Sequence, residues 1–206
     1  MKKIKLLLAG SLFTGASLFA GSGIFDSFAI VESTFYDLGA TTENADYSGA
    51  NLGSFDTTDS ISIGGQLKSF KNNGTDVTGA LLSYVIYAVG SRPASPTFND
   101  VSYAFQIDDV GGRSSGDQQW GTNVDGSNAT DLAASASLSS LSAGDYKLEV
   151  FAHITTNGID ADSNIFDNAG GANYIADFTV VPEPSAFALI AGALGMAIVT
   201  LRRRRS

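Results

Sequence analysis

The chain has 206 residues, no cysteine, one histidine and a net charge of −9. The missing cysteine excludes disulfides, thiol nucleophiles, cysteine-ligated metals and a lipid anchor on an N-terminal cysteine. Between Ile30 and Val181 five basic side chains face 19 acidic ones, a net of −14, and such a surface repels phosphate backbones, so nucleic acid is not an expected partner.

The first predicted element is a leader. Lys2, Lys3 and Lys5 precede an apolar run that continues to Ala20, which is the basic-then-apolar order of a signal peptide. Small residues place the cut between 22 and 29, where Ala20 with Ser22 and Ser27 with Ala29 both fit small-x-small spacing. The run is broken by Gly and Ser and is too short for a lasting membrane anchor. The expected organisation is a signal peptide over 1–29 and one domain over 30–180, long enough to bury a core without staples.

Within that domain Thr41 to Thr58 is polar and reads as a long loop. Ile61 to Phe70 and Leu81 to Val89 read as strands, the second apolar on both faces and therefore central. Val101 to Asp109 alternates, with Val101, Tyr103, Phe105 and Ile107 on one face. Trp120 belongs at a sheet edge or core margin, where its indole N–H finds a partner. Asp131 to Leu141 suits a helical turn, a strand or a loop equally. Tyr146, Leu148, Val150, Ala152 and Ile154 share a face opposite Lys147, Glu149, Phe151, His153 and Thr155, and Tyr174, Ala176, Phe178 and Val180 repeat the pattern. Turn signals separate these runs, among them Asn72-Asn73-Gly74, Asp125-Gly126 and Asn168-Ala169-Gly170-Gly171. The expected fold is all-β: a single antiparallel β-sandwich, Ig-like or jelly-roll-like.

The last predicted element is a tail. Val181-Pro182-Glu183-Pro184 leads into an uncharged apolar stretch from Ser185 to Leu201, and Arg202, Arg203, Arg204 and Arg205 follow. At about 1.5 Å per residue that stretch just spans a hydrocarbon core of about 30 Å. The prolines stop a strand or helix from running in, and the arginines place the C-terminal end in the cytoplasm. Pro182-Glu183-Pro184, one apolar helix and an arginine cluster, in that order, resemble the PEP-CTERM sorting signal over residues 181–206. The resemblance implies a Gram-negative host that makes exopolysaccharide, with a signal peptidase and an exosortase-type membrane protease as partners. It implies Pro182, Glu183 and Pro184 as the sorting motif, Ser185–Leu201 as a membrane anchor, and Arg202–Arg205 as a stop-transfer clamp. It says nothing about the domain.

The domain carries few signs of chemistry. His153 is the one histidine, so a nucleophilic triad has a single candidate base and a histidine zinc site would lack its second nitrogen ligand. No enzyme is expected. Calcium is a weak candidate cofactor, because Asp160, Asp162, Asn164 and Asp167 offer oxygens in one loop. The loop lacks the glycine and distal glutamate of an EF-hand, and a solvated acidic turn explains it equally. Glu149 and Asp177 alternate with apolar residues and are expected to face water. Tyr84, Tyr87, Tyr103 and Trp120 would form a stacking platform for sugars if they surfaced together, although most are expected in the core. The leading expectation is an exported, non-enzymatic protein that passes through the inner membrane to the cell surface or extracellular matrix, with exopolysaccharide a candidate partner. A secreted carbohydrate-binding module is the alternative, and a hydrolase a distant third.

Overall fold

A computed structural model describes residues 21–39, 43–71, 74–108, 116–121, 134–158 and 163–183. They form strands β1 (Ser22–Val31), β2 (Thr34–Asp37), β3 (Ala45–Asp46), β4 (Asn51–Asp56), β5 (Ser60–Lys71), β6 (Val77–Ala88), β7 (Asn99–Tyr103), β8 (Phe105–Asp108), β9 (Gln118–Gly121), β10 (Ala134–Ser137), β11 (Gly144–Thr156), β12 (Asn164–Asp167) and β13 (Tyr174–Val181). One 3-10 turn, Ala169–Gly171, is the sole helical element among the described residues. No described helix is long and apolar enough to cross a membrane. Ser185–Leu201, the expected anchor, lies outside the described residues, as do Pro184, the arginine cluster and the expected leader up to Ala20.

The strands make two sheets whose inner faces bury each other, as a sandwich requires. Among the described residues one sheet has the order β3-β2-β1-β5-β9-β8 and the other β4-β13-β11-β6-β7. Each is built on a long central strand. β5 carries β1 on one edge and β10 and β9 in tandem on the other. β11 carries β6 on one edge and β13 and β12 in tandem on the other.

The alternation of β11 and β13 places their side chains as expected. Leu148, Val150, Ala152 and Ile154 are wholly buried, with Ala176, Phe178 and Val180 packed beside them. Across the gap they meet Ala29, Val31, Ile61, Ile63 and Leu67 of β1 and β5. β6 is central, between β11 and β7. Trp120 is buried near the open side of its sheet and donates its indole N–H to Ser69 Oγ, at 3.3 Å.

Three expectations are corrected. The sheets are mixed rather than antiparallel, because β13 pairs parallel with β4 and β2 parallel with β3. The polar stretch from Thr41 to Thr58 holds β3, β4 and Tyr47, whose ring is fully buried against Tyr36 while its hydroxyl donates to the Leu148 carbonyl at 3.2 Å. The alternating run after Val101 is two strands. The chain leaves one sheet after Tyr103 and joins the other at Phe105, so Val101 and Tyr103 are core while Phe105 and Ile107 stand 48% and 54% exposed. β1 itself begins at Ser22, and its Phe28, Ala29 and Ile30 are buried.

Two sites show why small residues are needed. Gly121 has φ +82° and sits against the Gly65 carbonyl, so any side chain there meets backbone as well as an unfavourable left-handed conformation. Gly65 in turn leaves room for the Tyr103 hydroxyl, which is buried without a hydrogen-bond partner among the described residues.

Candidate functional site

The outer face of the β11 sheet collects the polar and aromatic groups that the core does not use. Strand alternation sends Lys147, Glu149, Phe151, His153 and Thr155 to that face, and β6 supplies Leu81, Ser83, Val85 and Tyr87 beside them.

At one end Glu149 is wholly buried, contrary to its expected place in water. The Arg92 guanidinium donates to both carboxylate oxygens, Nε to Oε2 and Nη2 to Oε1, each at 2.7 Å. The Tyr87 hydroxyl donates to Oε2 at 2.9 Å and the Asn173 amide to Oε1 at 2.7 Å. Burial alone would raise the Glu149 pKa, but the donors Arg92, Asn173 and Tyr87 outweigh it and hold the carboxyl below its usual range. The same contact, with burial first among its causes, pushes the Tyr87 phenol up to about 12. An ionised carboxylate buried this way is stable only because its lone pairs are filled. All four residues are thereby committed to one another. The cluster ties the β6–β7 loop, through Arg92, and the turn before β13, through Asn173, onto β11.

At the other end is an aromatic patch. His153 lies opposite Phe166 of β12, which is 52% exposed, and their rings are 5.4 Å apart. Phe151 packs on His153 at 5.8 Å, on Phe166 at 6.0 Å and on Phe98 at 5.0 Å. The rings tilt against each other by 31° to 72°, so they pack edge into face rather than forming one flat platform. Burial lowers the His153 pKa and the nearby Asp100 charge restores only part of it, so the ring is neutral at pH 7. Its Nδ1 is buried with no hydrogen-bond partner among the described residues. Asp100 itself accepts from Ser83 Oγ at 2.6 Å, rather than orienting the imidazole as a catalytic base requires.

The residues singled out in the sequence do not converge here. Tyr87 faces outward but is held under Glu149, Tyr103 and Trp120 are buried between the sheets, and Tyr84 packs on the core from the opposite face of β6 to Tyr87. They do not form a common exposed surface. Asp177, at the surface, pairs with Lys147 at 2.7 Å. Of the calcium candidates, Asp160 and Asp162 lie outside the described residues. Asn164 is exposed on β12, and Asp167 accepts hydroxyl hydrogen bonds from Ser27 on one oxygen and Tyr174 on the other. That carboxylate pins β1 to the opposite sheet. No group of three or more potential metal ligands occurs among the described residues.

Of the expected sorting motif, Pro182 and Glu183 are among the described residues. β13 ends at Val181, and Pro182 and Glu183 follow outside the sheet, both exposed. Comparison with family models, with curated proteins and with solved structures finds no match to this chain.

Proposed function

We propose that this is an exported, non-enzymatic surface or extracellular-matrix protein of a Gram-negative bacterium, sorted by an exosortase-type protease through its C-terminal tag. Support comes first from order: basic leader, folded domain, Pro182-Glu183-Pro184, apolar stretch, arginine cluster. The observation that carries the reading is the junction. The last ladder residue is Val181, and the next two residues are exposed with no part in either sheet. A protease reaching this point meets accessible backbone. Cutting there severs the apolar tail without removing any strand from the domain.

In this scheme the inner membrane is a waypoint. Signal peptidase removes the leader, Ser185–Leu201 and the arginines hold the intermediate, and the tag protease releases the acidic sandwich towards the exopolysaccharide outside. Replacing Pro182, Glu183 and Pro184 with alanine in the native host tests this. The variant is expected to accumulate uncut in the inner membrane while the domain stays folded. Unchanged release of the variant would contradict the proposal.

A further inference from the structure

Among the cuts that satisfy small-x-small spacing, the fold treats the one after Ser22 and the one after Ala29 differently. β1 is an interior strand, bonded to β2 on one edge and to β5 on the other. A cut after Ala29 would leave only Ile30 and Val31 of it. β5 would lose its ladder partners from Gly65 through Lys71, exposing backbone in the middle of a buried sheet. The fully buried Phe28 and Ala29 would vanish. Lys68 would lose Asp26, its partner at 2.7 Å, and Asp167 would lose the Ser27 hydroxyl that joins the two sheets. The Leu38 amide would lose the Ser27 carbonyl, at 3.0 Å.

The ordered contacts of β1 run back to its first residues. Thr75, which is buried, accepts from Ser22 Oγ at 2.9 Å and donates to the Gly21 carbonyl. A cut after Ser22 spares every ladder pair from Gly23 onward.

We infer that signal peptidase leaves the β1 ladder intact from Gly23 onward: the mature chain begins within residues 21–23, and the Ser27–Ala29 site is not used. This rests on the reading of residues 1–20 as a cleaved leader. The test is to express the full chain with its own leader in a Gram-negative host and sequence the N-terminus of the exported form. Gly21, Ser22 or Gly23 as first residue is the expected result. A first residue from Ile24 onward, Ile30 above all, would overturn the inference while leaving export intact. A start between residues 2 and 20 would overturn it likewise. Retention of Met1 would bring down the leader reading itself, and the inference with it.

Discussion

The two rows of side chains on β11 alternate residue by residue yet live in different physical worlds. The inward row, Tyr146 to Ile154, is apolar throughout and packs into the core. The outward row runs from the half-exposed Lys147–Asp177 pair, through a wholly buried glutamate, to a cluster of rings tilted against one another. Alternation decides which face a residue takes, but not what that face meets. The β6–β7 loop and the turn at Asn173 close over part of the outer face, and this converts a position that ought to be wet into a dry one.

Substitutions along β11 break this comparison at graded cost. Leu148→Ala should be the most damaging, because it empties a fully buried site in the core; the expected loss is about 2–5 kcal/mol, read from urea unfolding. Glu149→Gln should cost about 1–3 kcal/mol, since one acceptor oxygen becomes a donor facing Arg92, Tyr87 or Asn173. If Glu149→Gln proved neutral, the buried outer-face cluster would have no structural weight.

Acid titration sharpens the same contrast. Both His153 and Glu149 have folded pKa values below their ordinary ones, so in acid the unfolded chain binds more protons than the folded one. Stability is therefore complete above about pH 6.5 and falls below it, first through His153 and then, under about pH 4.3, through Glu149. Melting temperatures measured from pH 8 to about pH 2 should show this order. His153→Gln should flatten the upper part of the decline and leave the lower part. Smallest of all, Lys147→Ala should change stability by less than about 1 kcal/mol, because its ion pair is half in water.

Much of the fold was legible because burial and strand period coincide. The inner rows of β11 and β13 and the two-sided apolar β6 are examples. The rest was hidden where backbone pairing rather than side-chain period decides. β4, Asn51–Asp56, earns its place by parallel hydrogen bonds to β13, which leave no apolar alternation in a polar sequence. The crossing at Ala104 preserves an unbroken alternation while exchanging one sheet for the other. In the sequence β1 merges with the expected leader because Ile24, Phe28 and Ile30 continue an apolar run that starts near Leu6. The outer-face cluster was illegible because Arg92 and Asn173 lie far from Glu149 in sequence, and only the loops bring them to it.

The central claim, export followed by sorting through the tail, is met most directly by intact mass spectrometry of the protein from fractions of its native host. The account predicts a released species lacking both the leader and everything beyond the Pro182-Glu183-Pro184 region. A species that keeps Ser185 to Ser206 and stays in the membrane fraction would contradict it.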